Sequence, residues 1–322
     1  MEAPPRPFNP QAPSSSVTTT NSGSTFIETL EYRRFVEFCD ACRRDRYIGL
    51  CFGPPGIGKT LSAWHYSRAE LIVPLDCWSA EARDQKPIDT VLYTTSVVNS
   101  PSRVEAELHR AREILSNIAT RAIRTEARLT LDAMRLRDEN WRKEHREDPT
   151  YVPAQPPPFI PTYFQTFEEY EAKKRAIPDP TSLIVVDEAD RLSMPSLEQL
   201  RSVFDQSGFG MVLIGMPGLE KRAARYPQFF SRIGFVHEFR ALAAAEVQTL
   251  LEENWTALAS GSLAEAPAPD VIAAIIRVTG GNFRLITRLL TQMERVFNIN
   301  QLKHLSPAVV KTARENLVIG QV

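Results

Sequence analysis

Cysteine is scarce in this sequence: four in 322 residues, Cys39, Cys42, Cys51 and Cys77. That excludes a disulfide-stapled secreted domain and makes a reducing, cytoplasmic setting the expectation. Cys39 and Cys42 form a lone C-x-x-C without a second pair or a suitably spaced histidine. Zinc is therefore not expected, and within a helical pattern the two read as small apolar residues. No apolar run approaches ~18 residues, so no membrane span is expected, and the proline-rich start does not read as a signal peptide. An excess of one charge is missing too: the net charge is −1 and the pI about 6.6. Any contact with nucleic acid must then come from a local basic surface.

What is present is enough apolar residue, 43%, for a sizeable core, over a length that suits two compact units. The organising stretch is Gly53-Pro54-Pro55-Gly56-Ile57-Gly58-Lys59-Thr60, a full match to G-x-x-x-x-G-K-[ST]. An apolar run, Tyr47–Phe52, precedes it as a buried strand, and Leu61–Tyr66 follows as a helix. In that setting the glycines turn backbone N–H groups onto phosphate oxygens, and the helix start adds positive potential. Lys59 supplies a mobile cation for the β- and γ-phosphates. The Thr60 hydroxyl can ligate Mg²⁺.

Residues 1–25 hold five prolines among many Ser, Thr and Asn, and are expected to be disordered. Residues 26–46 have helical spacing through Leu30, Phe35, Cys39 and Cys42, with Arg43, Arg44 and Arg46 at the end favoured by the helix dipole. Val91–Thr95 reads as a second strand. Residues 102–148 lack both proline and glycine, and their Leu108, Ala111, Leu115, Ile118, Ala122 spacing predicts a long helix or helical hairpin with a solvated, ion-paired face. Eight prolines between 149 and 180 predict a stiff, extended linker that Tyr163, Phe164, Phe167 and Tyr170 dock onto the core. Ser182–Glu188 reads as a buried parallel strand, four apolar residues ending in two carboxylates. Asp187 would hold Mg²⁺, and Glu188 would polarise the attacking water. Met211–Gly215 and Phe235–Phe239 read as further strands. The fold class is α/β, an open parallel sheet with helices on both faces. After Arg240 the pattern is all helix: Leu242–Ala259, a helix capped by Asp270, Gly280-Gly281 as a stop, Asn282 capping Phe283–Phe297, and Ser306-Pro307 opening the last. The expected division is thus a tail at 1–25, a nucleotide-binding αβα domain at 26–240 with an insertion at 101–180, and a helical lid at 241–322.

Three motifs narrow this further. Asp187-Glu188-Ala189-Asp190-Arg191-Leu192 resembles the second nucleotide motif of AAA+ ATPases, and the guanine-reading N-K-x-D of GTPases is absent. Gly280-Gly281-Asn282-Phe283-Arg284 resembles the sensor-2 element of AAA+ lids, which implies that Arg284 reaches the γ-phosphate. Ser231-Arg232-Ile233 resembles the element whose arginine completes a neighbouring subunit's site. Together they resemble the transposition regulators of the TniB, TnsC and MuB type, from about Phe26 to Val318, excluding the insertion 101–180. The resemblance implies an ATPase, with ATP and Mg²⁺ held by residues Gly53 to Leu61 (Gly53, Pro54, Pro55, Gly56, Ile57, Gly58, Lys59, Thr60, Leu61) and Arg284. Lys59, Glu188 and, in trans, Arg232 would carry the chemistry. It also implies a homo-oligomer, ring or helical filament, on duplex DNA, recruiting a transposase and a targeting factor. Lys221, Arg222 and Arg225 are the DNA-contact candidates, Lys173-Lys174-Arg175 weaker ones. The polar sensor-1 position of that family is here Met216. Alternatives are an ATPase of a secretion or pilus system of the ExeA type, and a nucleotide-gated scaffold with little turnover.

Overall fold

The structure, a computed structural model, describes residues 17–19, 25–69, 88–144, 160–259, 263 and 266–317. Cys77 and the Pro156–Pro158 run lie outside them. Two short strands, β1 (Val17–Thr19) and β2 (Thr25–Ile27), form an antiparallel pair of their own. The region expected to be structureless therefore contributes a strand, which gains order by pairing with residues at the edge of the folded domain. The central sheet is built from β3 (Ile48–Phe52), β4 (Thr90–Thr94), β5 (Leu183–Asp187), β6 (Gly210–Gly215) and β7 (Ile233–Glu238). All five run parallel, in the order β4-β5-β6-β3-β7.

Alternate residues of the core strands face opposite layers. Ile184 and Val186 of β5, with Leu50, Val91, Met211 and Leu213, lie in one buried cluster. Leu183 and Val185, with Cys51, Val212 and Ile214, lie in another. Both faces being covered is why these strands read as continuous apolar runs and not as alternation. The second face is covered by α1 (Leu30–Asp45) and α2 (Lys59–Tyr66). Cys39 and Cys42 of α1 are fully buried there. A Cβ on Gly49 would meet the Cys42 sulfur at 2.4 Å, and one on Gly210 the Cys42 carbonyl oxygen at 2.3 Å, so small residues set how closely helix and sheet approach. Burial pushes the Cys42 thiol up to about 12, and no group of three or more metal-ligating side chains occurs among the described residues. The pair packs in the core between α1 and the sheet.

The first face is covered by α3 (Pro101–Ala119) and α6 (Met194–Asp205). This revises the insertion expected at 101–180. Val104, Leu108 and Leu115 of α3 are at most 1% exposed within the main core, so α3 is the crossover that two parallel strands require. Leu108, Ala111 and Leu115 of the heptad-like seam face the sheet and α6, whereas Ala122 is exposed at the start of the next helix. Only after Thr120 does the chain leave the core, as α4 (Arg121–Glu144), none of whose residues is buried, packed along α5 (Ile160–Ala176). The extended linker is likewise corrected: Ile160–Ala176 is helix. Phe167 is 54% exposed and lies with Tyr170 beside Leu131 and Met134 of α4, not on the core. No described helix is long and apolar enough to cross a membrane.

Beyond α7 (Leu219–Ala223), α8 (Pro227–Phe230) and β7, the described residues form four helices: α9 (Ala244–Leu258), α10 (Pro269–Thr279), α11 (Phe283–Ile299) and α12 (Pro307–Glu315). They enclose their own core, which includes Ile27 of β2. Asp270 does not cap α10. Pro269 already opens that helix with Ala268 as its cap residue, so Asp270 sits in the first turn. Asn282 does cap α11, accepting from the Leu285 amide.

Candidate functional site

In open parallel sheets ligands bind beyond the carboxyl ends of the strands, where the strand order reverses. Here that place is the end of β3, between β6 and β7. The phosphate loop leaves β3 there and ends on Gly58, which at φ 111° opens α2 without a side-chain cap. The first amides of α2 are thus left for an anion. Gly56 is also left-handed, at φ 82°, while Ile57 is tucked into the core beneath the loop. Pro54, Pro55, Thr60 and Leu61 are exposed above it. Lys59 Nζ donates to the carbonyls of Gly53 and Pro54, at 2.6 and 2.7 Å. Burial holds its pKa below the usual lysine value, opposed by Cys51 and the carboxylates of Asp187, Glu188 and Asp190.

Asp187 ends β5 and is 3% exposed. Its Oδ1 accepts from the Glu188 amide at 2.9 Å, whereas its Oδ2 is buried with no hydrogen-bond partner. A buried carboxylate oxygen left bare is costly unless a cation or donor meets it. That orphan oxygen, on the strand against which α2 packs, fits a divalent cation shared with the Thr60 hydroxyl. Phosphate oxygens and water would complete the shell, as Mg²⁺ requires. Glu188 follows at φ 55°, a left-handed conformation uncommon for a non-glycine residue, at the head of a short 3-10 turn, Ala189–Arg191. Its carboxylate lies 3.5 Å from the Arg191 guanidinium.

The lid meets the phosphate loop directly. The Arg284 amide donates to Gly56 O at 2.8 Å, and Asn282 Nδ2 to Pro55 O at 2.9 Å. Leu242, just before α9, bonds through its amide to Gly281 O. Arg284 itself is exposed, and its Cβ would lie 3.0 Å from a Cβ built on Gly56.

Arg232 is placed elsewhere. Its carbonyl accepts from the amide of Ile48, the first residue of β3, so it stands at the end of the sheet opposite the phosphate loop. Its guanidinium pairs with Asp205, at the end of α6, at 2.8 Å. The three DNA-contact candidates also separate. Lys221 and Arg225 are exposed, but Arg222 is partly buried and donates to the carbonyls of Asp190 (2.7 Å) and Leu192. The structure corrects that residue's role: both arms of its fork serve the turn after Glu188. Lys173 is likewise engaged, pairing with Glu126 of α4 at 3.2 Å.

Residues that the motifs did not single out also shape the site. Asp190 Oδ1 accepts from the Met216 amide at 3.2 Å. Asn99 donates to Arg191 O, and its Oδ1 accepts from the Ser193 amide and the Ser196 hydroxyl. The i to i+3 spacing of Glu188 and Arg191 was visible in the sequence; Asn99, 92 residues from Arg191, carried no signal.

The family described as AAA domain matches residues 42–223 of this chain. A Staphylococcus aureus protein described as a potential ATP-binding protein is 37% identical over 298 residues, which cover 92% of this chain and 97% of that protein. The Mu-like prophage FluMu DNA transposition protein B of Haemophilus influenzae is 30% identical over 121 residues, 35% of this chain and 40% of that protein. Among solved structures, Cdc6p of Pyrobaculum aerophilum gives a TM-score of 0.54 at 13% identity, over 92% of this chain and 69% of that one. A point mutant of the Thermotoga maritima RuvB Holliday junction branch migration motor gives 0.50 at 13% identity, over 91% and 72%. At such identities the structures speak for the fold alone.

Proposed function

Because the chain belongs to the AAA domain family, with its phosphate loop and carboxylate strand inside the matched region, we propose that it is an ATP-dependent, DNA-binding regulator of DNA transposition. It assembles as a homo-oligomer on target duplex and recruits a transposase. The observation that carries the reading is the separation of Arg232 from its own phosphate loop. The five residues of β3 lie between them, roughly 17 Å at about 3.3 Å per residue, which an arginine side chain does not span. Arg232 can therefore serve a triphosphate only on a second copy, which ties nucleotide occupancy to assembly. The transposition role is supported by the partial likeness to FluMu protein B.

Within one copy, Lys59 and the uncapped α2 amides bind phosphate, and Thr60 and Asp187 would hold Mg²⁺, which would supply charge neutralisation on the phosphates when bound. Glu188 accepts the proton of the attacking water, and Arg284 senses the terminal phosphate from the lid. Repetition of weak contacts through Lys221 and Arg225 gives the assembly its grip on DNA. Electron microscopy of the protein with duplex DNA and a non-hydrolysable ATP analogue tests this: ordered protein along the duplex is expected, and isolated monomers would overturn it. A second reading, a nucleotide-gated scaffold with little turnover, is favoured by Met216, whose thioether cannot polarise water. Steady-state phosphate release with and without DNA separates the two.

A further inference from the structure

The helix pair α4–α5 stands outside the layers that cover the sheet. No residue of α4 is buried, and α4 packs along α5. Beside that seam lies an open groove of about 440 Å³. Ala127, Leu131 and Met134, at i, i+4 and i+7 on α4, line it together with Phe167 and Tyr170 of α5, whose ring centroids are 6.5 Å apart. An apolar stripe at this spacing belongs to a helix face that buries against another element. Two helices that already use one side for each other supply no such element.

The charges along the groove identify the missing element. Arg124 and Asp138 also line it, each seven residues from Leu131, two turns and roughly 10.5 Å away in opposite directions. A half-turn about an axis through Leu131 exchanges the two. It also exchanges Ala127 with Arg135, a small side chain with a long one. A second α4 laid antiparallel therefore sets each Arg124 against an Asp138, on both sides of the axis, and each Arg135 stem over an Ala127. A parallel copy would set arginine against arginine and aspartate against aspartate. Among the described residues Arg124 has no carboxylate partner: its guanidinium donates to Asn117 Oδ1 at 2.8 Å. Asp138 accepts from Arg142 through Oδ1 at 3.1 Å. We propose that the α4–α5 groove is a self-pairing surface, across which a second copy lays its own α4 antiparallel, so that the two hairpins close into a four-helix bundle. This contact is isologous, whereas the one through Arg232 is head-to-tail. Its residues lie on α4 and α5, none on the phosphate loop or the lid, so it needs no nucleotide and does not rest on the reading above.

Sedimentation velocity of the full chain, without nucleotide or DNA and over a range of concentrations, tests this. A concentration-dependent dimer is expected, and Leu131→Glu, which puts two carboxylates on the axis, is expected to give monomers. Arg124→Asp and Asp138→Arg each set like charges face to face, and each is expected to weaken dimerisation about tenfold or more. The double variant is expected to restore parental association. The two positions are fourteen residues apart on one helix, roughly 21 Å, so the restoration cannot arise within one copy. Lys59→Ala is expected to pair like the parent although its ATP-dependent assembly is lost, which keeps this contact distinct from the nucleotide-linked one. Binding of a fluorescent ATP analogue at parental affinity shows that each groove variant is folded, and the exposed charge reversals carry the test should Leu131→Glu disturb the hairpin. A parent that stays monomeric at every concentration would overturn the proposal and leave the groove to a helix of another protein. A dimer indifferent to the charge reversals, or a double variant as weak as the single ones, would overturn it equally.

Discussion

Arg232 hydrogen-bonds through Nε to Asp205 at 2.8 Å within its own chain, while its carbonyl receives the first amide of β3. The residue is thus at the surface, 45% exposed, held by a carboxylate at the sheet end farthest from its own phosphate loop. A neighbouring copy that offered a triphosphate would compete with Asp205 for the same guanidinium.

Mixing variants tests that geometry. Arg232→Ala is expected to bind ATP with parental affinity and to lose hydrolysis by about a thousandfold or more, within the range known for trans-acting arginines. Lys59→Ala is expected to bind no ATP and not to assemble alone. Mixed, the two should recover measurable turnover, because sites with an intact Lys59 then face an intact Arg232. Absence of recovery at any ratio would place Arg232 outside the neighbour's site.

The basic residues of α7 and the turn after it divide by partner. Lys221→Ala and Arg225→Ala are each expected to weaken duplex binding and to flatten its salt dependence by about one unit of slope. Arg222→Ala is expected to act on stability instead, since two backbone carbonyls lose a charged donor, at a cost of about 1–3 kcal/mol. Fluorescence anisotropy across a salt series and thermal melts distinguish the two classes; an Arg222 variant with normal stability and a reduced salt slope would reverse the assignment.

Gly56 joins the phosphate loop to the lid. At φ 82° an alanine is strained, and its Cβ would lie 2.8 Å from Asn282 Oδ1 and 3.0 Å from Arg284 Cβ. Gly56→Ala is expected to lower stability by about 1–3 kcal/mol and to weaken nucleotide binding, as loop and lid part. Chemical denaturation and an ATP-analogue titration read both. A variant that keeps lid contact and affinity would show the approach to be incidental.

Glu31 gives the fold a pH dependence. Burial raises its pKa, but the His237 imidazole 3.3 Å away, the Arg240 amide and Arg34 outweigh burial, and the net position is below the ordinary value. A lowered folded-state pKa stabilises above the unfolded value of about 4.3 and ceases to do so as pH falls through the folded one. Glu31→Gln is expected to lower Tm clearly at pH 7 and progressively less below about pH 4. An equal Tm difference at both pH values would mean that the ionised carboxylate contributes nothing.

Much of the fold could be read directly from residue patterns. The strand at Leu183–Asp187 and the phosphate loop are local: apolar runs buried on both faces, and glycines where the backbone turns left-handed. The cap at Asn282 is equally local, one side chain meeting an amide three residues on. The expectation failed where composition stood in for packing. Proline enrichment suggested a linker over residues that form α5, whose Pro161 sits in the first turn, where the missing N–H is tolerated. The heptad-like spacing of α3 was real, but it cannot say which surface the seam faces; the sheet claimed it.

The chain's sequence alone determined a phosphate-loop pattern and a strand ending in carboxylates, because such motifs need a few residue types at fixed short spacing along one loop and one strand end. Tertiary structure alone decided which of the arginines are committed. Arg222 to the turn after Glu188 and Arg232 to Asp205 are assignments made between elements, since a guanidinium's role depends on which carbonyl or carboxylate the fold brings within its reach.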